Sequence, residues 1–219
     1  MKKEMTLKTK RLLLRPMPIG ELEEKIQSME DNELRQAYQE MLDGCRSAPH
    51  DWLWYAPWKI ILKSEEKMIG DICFKGPQKR GTVEWGYGLE QPYQGMGYMT
   101  EAARMLLDWA FSQPDVYAVE AETLPDNAAS QRVLEKLDFK PTGTEGEEGP
   151  RFRREKQAAQ MSVVYMMLGM CCGISVGTAL GKMSIGMVLG MAVGFLLGSV
   201  VDSSEKKHRQ QVTSGEKET

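Results

Sequence analysis

The sequence of 219 residues is short of cysteine and has no excess of basic charge, and each shortage excludes a class of function. Its four cysteines are not spaced as a metal site, and Cys171 and Cys172 are neighbours in an apolar run. The 28 lysine and arginine residues against 31 aspartate and glutamate residues give a formal charge of −3, which offers nucleic acid no basic footprint. The N-terminus lacks the apolar core of a secretory signal, so we expect a reduced, intracellular setting.

Charge is almost absent from one long C-terminal segment, and this absence divides the chain. Residues 161–201 contain a single charged side chain, Lys182, whereas the residues before them are densely charged with both signs. From Asp202 onward the sequence is polar again. We predict a soluble domain over 1–156, an apolar helical hairpin over 161–201 and a polar, disordered tail over 202–219.

The soluble part contains more predicted strands than helices. Alternating and β-branched runs predict strands over 7–16, 58–62, 68–74, 82–89 and 117–124, with closing strands from 139 onward. Helical spacing predicts two short helices within 20–44 and single helices over 100–111 and 127–137. This order is typical of a mixed α/β sheet with helices on its faces.

A loop with two glycines joins the strand 82–89 to the next helix. Its sequence over Gln94–Met99 is Gln-Gly-Met-Gly-Tyr-Met. The first N–H groups of a helix have no intrahelical partner and lie at the positive end of its dipole. Glycines just before them let the main chain approach a phosphate, which makes the loop a candidate pyrophosphate cradle. Alone the signal is weak, because many strand-to-helix turns contain two glycines for steric reasons.

The loop and its neighbours together resemble the GNAT acetyltransferase superfamily. The loop is similar to the Gln/Arg-x-x-Gly-x-Gly/Ala motif of that family, with Met99 in place of the final small residue. Residues 98–102 are typical of the branch of ribosomal-protein N-terminal acetyltransferases, and 127–139 resembles the family's second motif. The resemblance covers residues 7–155 and implies a GNAT-like mixed, mostly antiparallel central sheet flanked by helices.

The resemblance also implies an activity, an N-acetyltransferase that moves an acetyl group from acetyl-CoA to an amine by direct transfer in a ternary complex. The acceptor would be a protein N-terminus or a small amine. Glu84 is the candidate catalytic base, acting through water, and its alternative is an ordinary solvent-facing glutamate. The residues implied in cofactor binding are Leu89, through its backbone N–H, and Gln94, Gly95, Met96, Gly97, Tyr98, Met99, Asn127 and Ser130.

Some of these positions have alternative roles. Asn127 contacts the pantetheine arm or caps a helix, a position for which Asp126 competes. Ser130 contacts the cofactor or only occupies the first helical turn. The aromatic cluster within 52–58 forms either a packed core or an acceptor pocket.

The family pattern is broken twice near the second motif. The usual proton-donating tyrosine is Leu134 here, which leaves Tyr98, water or no proton donor for the leaving thiolate. The usual glycine is Asp138, a residue that tolerates left-handed backbone better than most. These departures keep open a non-catalytic acyl-CoA-sensing module as the alternative function.

The apolar segment resembles a glycine-zipper hairpin. Residues 161–180 carry no charge and, at about 1.5 Å per residue, are long enough to cross about 30 Å of hydrocarbon. Every fourth residue is glycine in both halves: Gly169, Gly173, Gly177 and Gly181, then Gly186, Gly190, Gly194 and Gly198. Such faces allow close helix approach or a homo-oligomer. Basic clusters within 151–156 and 206–209 predict that both outer ends are cytoplasmic. The alternatives are a soluble oligomerising pair, an aggregating segment, or an oligomerising membrane element regulated by the GNAT-like domain.

Overall fold

A computed structural model of the chain describes residues 5–158 and 160–214. The chain divides into two compact units, Met1–Lys156 and Gln157–Thr219. The first unit contains a sheet and four α-helices among its described residues, and the second contains two long α-helices.

An eight-stranded sheet forms the centre of the first unit. The spatial order is β1-β2-β3-β4-β5-β6-β8-β7, and β5 with β6 is the one parallel pair among the described residues. This confirms the predicted mixed, mostly antiparallel sheet. The strands are β1 (Leu7–Lys8), β2 (Leu12–Pro16), β3 (Trp58–Leu62), β4 (Lys67–Phe74), β5 (Thr82–Leu89), β6 (Ala118–Glu122), β7 (Lys140–Glu145) and β8 (Pro150–Glu155).

Four helices cover the two faces of the sheet. They are α1 (Ile19–Ser28), α2 (Asn32–Ser47), α3 (Tyr98–Ser112) and α4 (Ala128–Lys136). The predicted division of 20–44 into two helices is confirmed, because Asp31 separates them and caps α2 with its carboxylate. Helix α2 is longer than predicted and continues to Ser47. On one face, α3 and α4 pack on the main core, and on the other α1 and α2 form a smaller cluster around Leu22 and Tyr38.

The aromatic cluster after α2 belongs largely to the core. Trp58 is fully buried and donates its indole N–H to the Leu53 carbonyl at 3.0 Å. The rings of Trp54 and Trp58 lie 4.8 and 5.0 Å from that of Trp109 on α3. Buried aromatic rings at such spacing stabilise a core beyond their area alone. The packed-core interpretation therefore holds for Trp54 and Trp58.

The second unit is a hairpin of α5 (Met161–Ala179) and α6 (Met183–Ser214). A Cβ on Gly169 would overlap the Gly190 carbonyl, and one on Gly173 would overlap the Gly186 carbonyl. The seven glycines inside the two helices all face the backbone of the opposite helix in this way. The glycine ridges thus pack on each other within one chain.

The turn and the open end of this hairpin are both closed by hydrogen bonds. Gly181 has φ of +68°, and the N–H groups of Gly181 and Lys182 donate to the carbonyls of Thr178 and Gly177. This helix ending needs a residue without Cβ strain, so the eighth glycine serves the turn rather than the interface. At the other end, the Asp202 carboxylate accepts from the N–H groups of Met161 and Ser162 at 2.8 and 3.0 Å.

The predicted disordered tail over 202–219 is wrong for most of its length. Helix α6 continues through these residues to Ser214, and 215–219 lie outside the described residues. Residues 203–214 contain no glycine or proline and several strong helix formers. Extending an existing helix requires no new nucleation, so a polar composition was a poor guide to disorder here.

Candidate functional site

The two parallel strands separate at their carboxyl ends. Their pairing ends at Trp85 with Ala121, after which β5 pairs with β4 and Glu122 pairs with β8. The inner edge of Gly86–Leu89 therefore has no paired strand within the described part of the chain. A cavity of about 180 Å³ opens between the separated strands. Its lining residues come from β5, from the end of β6 and the loop after it, and from the start of α4, together with Lys75 and Glu148.

Two residues that line this cavity contain a buried polar side-chain atom. Neither Trp85 Nε1 nor Thr123 Oγ1 has a hydrogen-bond partner among the residues that the structure describes. A buried polar group left unpaired costs about 1–3 kcal/mol. Such atoms fit a polar chain that enters between the strands, and a pantetheine arm with its two amides has that character.

The glycine loop leads from β5 into α3 at the neighbouring end of the sheet. Gly95 and Gly97 have φ of +75° and +77°, and Gly97 is the N-cap of α3, without a capping side chain among the described residues. The first helical hydrogen bond runs from the Glu101 N–H to the Gly97 carbonyl, so the N–H groups of 98–100 have no helical acceptor. A Cβ at Gly95 would meet nothing within 4 Å, which shows open space above the loop. The loop therefore has the backbone geometry of an anion cradle.

Arg11, which sequence reasoning missed, fixes this loop from the other side. Its guanidinium donates to the Met96 carbonyl at 3.1 Å, lies 4.3 Å from the centre of the Tyr98 ring and pairs with Glu101 at 2.7 Å. Burial raises the pKa of Glu101, but hydrogen bonds from Thr9 and Arg11 outweigh it and lower that pKa overall. Arg11 and Met96 are 85 positions apart, so no local pattern indicates the contact.

The side chains of the remaining loop residues lie in different environments. Gln94 donates its side-chain amide to the Leu89 carbonyl at 3.0 Å and so ties the loop to the end of β5. Met96 is exposed, whereas Met99 is buried in the core, where a side chain cannot contact a ligand on the surface. The core thus accommodates the larger side chain of Met99 at the position where the family has a small residue.

Asn127 and Ser130 lie together on the cavity wall. The Asn127 side chain accepts the Ser130 N–H at 3.0 Å, so Asn127 rather than Asp126 caps α4. The Ser130 hydroxyl lies 3.0 Å from the Tyr87 hydroxyl, and all three residues line the cavity. Burial raises the pKa of Tyr87, although its bond to Ser130 opposes the shift. Sequence reasoning did not select Tyr87, whose position depends on the separation of the two strands.

Glu84 lies in the middle of β5 with 28% of its side chain exposed. Its carboxylate pairs with Lys75 at 2.6 Å, and Lys75 also lies 3.5 Å from Glu148. Burial disfavours the Lys75 ammonium, but the hydrogen bond to Glu84 and the charges around it raise the Lys75 pKa overall. The candidate base is therefore an ion-paired side chain rather than an ordinary solvent-facing glutamate.

An open groove continues along β5 from Glu84. Gly86 and Gly88 lie on the same face as Glu84, and a Cβ at either would meet nothing within 4 Å. Gly88 pairs with Asp71 of β4, whose carboxylate contacts Lys25 and Tyr38 of the two N-terminal helices. The groove thus runs from the candidate base toward α1 and α2.

The two departures from the family pattern are visible in α4 and its C-terminus. Leu134 is fully buried in the core, so its position offers no group to a leaving thiolate. Asp138 has φ of +60°, as expected from the glycine that it replaces. The left-handed turn is retained with a modest strain.

Comparison with known proteins agrees with this geometry. A family model described as an acetyltransferase (GNAT) domain matches residues 11–140, more than half of the chain. The chain is 36% identical over 83 residues to the uncharacterized N-acetyltransferase YjdG of Bacillus subtilis, a match to 37% of this chain and 49% of that protein. It is 33% identical over 85 residues to the uncharacterized N-acetyltransferase p20 of Bacillus licheniformis, a match to 38% of this chain and 48% of that protein. The chain thus spans about half the length of the curated relatives it matches.

Solved structures show the same fold at lower sequence identity. The ribosomal L7/L12 α-N-protein acetyltransferase RimL, in complex with coenzyme A, superposes with a TM-score of 0.56 at 15% identity, over 71% of this chain and 100% of that one. A GNAT-family acetyltransferase of Bacillus anthracis gives 0.52 at 22% identity, over 69% and 98%. With a matching family model, separated parallel strands and a left-handed glycine loop before α3, the chain belongs to the GNAT acetyltransferase family.

Proposed function

We propose that the chain is an acetyl-CoA-dependent N-acetyltransferase that its C-terminal hairpin tethers to a membrane. The observation that carries the enzymatic part is the alignment of three features along β5. Glu84 pairs with Lys75, a residue that lines the cavity. The separated strands β5 and β6 form this cavity, and the glycine loop follows the end of β5. The family match supports the same activity.

The cofactor would be held mainly by backbone and by the cavity wall. The N–H groups that open α3 would accept the pyrophosphate, with Gly95 and Gly97 allowing its close approach. Asn127 and Ser130 would contact the pantetheine arm, since both line the cavity. Bound there, acetyl-CoA supplies an activated acetyl thioester.

The chain's own groups then serve two tasks at the reacting centre. Glu84 takes the proton of the acceptor ammonium, directly or through water. The Glu90 N–H donates to Ile69 of β4 at 2.9 Å, and successive N–H groups along a strand point to opposite edges. The Leu89 N–H therefore points to the open side, where it would stabilise the oxyanion.

Tyr87 would assist the departing thiolate. Its phenol lines the cavity, whereas the family's usual position is the buried Leu134. The pKa of a thiol is about 8.5 and that of a phenol is about 10, and burial raises the pKa of Tyr87 further. The phenol would therefore donate a hydrogen bond to the thiolate rather than a full proton.

The acceptor would be an amine, either a protein N-terminus or a small amine. The open groove over Gly86 and Gly88 leads to Glu84 and offers a route for an extended chain. The structural relative RimL acts on the N-terminus of a ribosomal protein, which favours including peptide N-termini among the acceptors to be tested.

The hairpin is the proposed membrane anchor. Both helices are long and apolar enough to span a bilayer, and the 19 residues of α5 extend about 28 Å. With the glycines packed inward, large apolar side chains such as Leu168 and Leu196 are exposed on the outside. Hydroxyls of Ser175, Thr178 and Ser199 donate to carbonyls of their own helices, which suits an apolar solvent.

The orientation of this anchor would rest on the basic residues after α6's apolar part. Arg151 and Arg153 of the predicted flanking cluster belong to β8 and pair with Glu122 and Glu120. Residues 206–209 follow the apolar part of α6 and form the second basic flank, and by the positive-inside tendency they favour the cytoplasmic side for both outer ends. The glycine faces are occupied within the hairpin, so we do not propose them as an oligomer interface.

The decisive experiment is acetyl-CoA turnover by the full chain in mild detergent, with a panel of peptides and polyamines and with Glu84→Gln. The variant should lower kcat/KM by about 10²–10⁴-fold without weakening acetyl-CoA binding. Glu24→Gln, on the exposed side of α1, is the matched control and should behave as wild type. An unchanged kcat/KM and pH profile in Glu84→Gln would refute the base assignment. Acetyl-CoA binding without turnover of any amine would instead favour the acyl-CoA sensor.

A further inference from the structure

Lys75 places a primary amine of the chain itself beside the candidate base. It directly follows β4, and its backbone N–H donates to the Glu84 carbonyl at 2.8 Å, which sets the two residues opposite each other. The ammonium Nζ then lies 2.6 Å from Glu84 Oε1 and 3.5 Å from Glu148 Oε1. A proton can pass directly to a base at such a distance. Any amine that Glu84 is to deprotonate directly must occupy a similar position.

The same lysine also borders the space proposed for the pantetheine arm. Lys75 lines the 180 Å³ cavity together with Tyr87, Asn127 and Ser130. The amine that contacts the candidate base therefore also lines the cavity proposed for the cofactor. Lys67, at the opposite end of β4 from Lys75, contacts Glu90 at 2.9 Å and is not among the residues that line this cavity.

From this juxtaposition we propose that Lys75 is an intramolecular acetyl acceptor, so that the chain acetylates its own Nζ. The inference rests on the proposed function. The ammonium gives a proton to Glu84, and the free Nζ forms a bond to the acetyl carbonyl carbon of acetyl-CoA. The carbon–sulfur bond breaks, the acylated nitrogen releases its second proton to solvent, and coenzyme A leaves as a thiolate that takes up a proton from solvent. Holding the amine and the base in one site replaces a bimolecular encounter, which favours the reaction at any protein concentration.

Acetylation would change the site as well as the lysine. The amide product has no charge, so Glu84 and Glu148 lose the cation that they share. Glu84 is then available to pair with the ammonium of an external acceptor. Lys75 would thus occupy the acceptor position until it is modified.

The test is mass-spectrometric mapping of acetylated lysines in the full chain, in detergent, after incubation with acetyl-CoA and no added amine. Lys75 should be acetylated at a rate independent of protein concentration and much earlier than the exposed Lys140. Glu84→Gln should slow the modification of Lys75 by at least about 100-fold, the low end of base catalysis. Lys67→Arg is the matched control and should leave the rate at Lys75 unchanged.

A second readout uses a chemical acetylating reagent, N-hydroxysuccinimidyl acetate, in place of acetyl-CoA. Because its ion pairs keep Lys75 protonated, the reagent should label Lys75 later than Lys140, the reverse of the order with acetyl-CoA. Equal order with both reagents, or an undiminished rate in Glu84→Gln, would mark the modification as background chemistry and overturn the proposal. An unmodified Lys75 beside turnover of an added amine overturns it while leaving the acetyltransferase function intact. If neither Lys75 nor any amine is acetylated, the proposed function fails as well.

Discussion

At the scale of single residues, the phenol of Tyr87 provides the sharpest test of how the leaving group is handled. A hydrogen bond to a developing charge is worth about 1.5–3 kcal/mol. Tyr87→Phe should therefore lower kcat by about 10- to 100-fold, with acetyl-CoA affinity nearly unchanged, because the bond forms only as the thiolate departs. Steady-state kinetics with one peptide acceptor, together with a binding titration, measures both quantities.

Tyr117→Phe is the matched control for this change. Tyr117 is also buried, but it lies just before β6, at the end of the parallel pair away from the cavity. Its removal should affect stability more than kcat. If Tyr87→Phe raised KM for acetyl-CoA and left kcat unchanged, the phenol would be a binding group, and the thiolate would leave without its help.

Residue identities alone could indicate only part of this site. The glycine loop, Glu84 and Asn127 follow from motif spacing along the chain. Arg11, Lys75 and Tyr87 act through contacts set by strand register and by the separation of β5 from β6. Such contacts join positions that are distant in sequence, and no local pattern encodes them. The sequence left two candidates for the N-cap of α4, Asp126 and Asn127. The backbone at the start of α4 places the Ser130 N–H within reach of the Asn127 side chain, which therefore forms the cap.

At the scale of elements, prediction was most accurate where turn residues bound an alternating run. The strand over 82–89 matches β5, because Gly81 precedes it and Glu90-Gln91-Pro92 follows it. The run 7–16 divides into β1 and β2, since the Thr9 hydroxyl and backbone bond across a tight turn to Leu12. Helix α6 exceeded its predicted end because nothing after Asp202 stops it before Ser214. Composition indicates solvent exposure better than it indicates where a helix ends.

The hairpin offers an element-scale prediction through Gly173. A side chain at this position would overlap the Gly186 carbonyl and press on the Gly190 backbone, so the two helices would have to separate. Gly173→Leu should destabilise the hairpin by about 1–3 kcal/mol, the usual range for overpacking. Thermal unfolding of the full chain in detergent, followed by helical circular dichroism, should show a lower Tm for the hairpin transition.

The control for Gly173→Leu is Val176→Leu, an exposed position on the same helix. It places a leucine on the outer face, where no opposite helix lies, and should leave the transition unchanged. An equal Tm for both variants would show that the close glycine packing does not stabilise the hairpin.

At the scale of the whole molecule, the two units differ in how they bury apolar surface. Both hydrophobic clusters of the first unit draw only on residues before 157, so its core is complete without the hairpin. The hairpin buries few side chains of its own beyond its glycines and leaves most of its apolar residues exposed. A polar solvent penalises such a surface, and hydrocarbon does not.

Removal of residues 157–219 should therefore separate the two properties of the chain. The truncated protein should remain in a high-speed supernatant without detergent, because the exposed apolar surface is gone. It should also keep kcat/KM for acetyl-CoA within about threefold of the full chain, as the proposed site lies within residues 11–155.

The full chain should sediment with membranes and resist extraction by salt. A truncated protein that unfolds would assign the hairpin a role in the core, and a full chain that stays in the supernatant would exclude the membrane anchor.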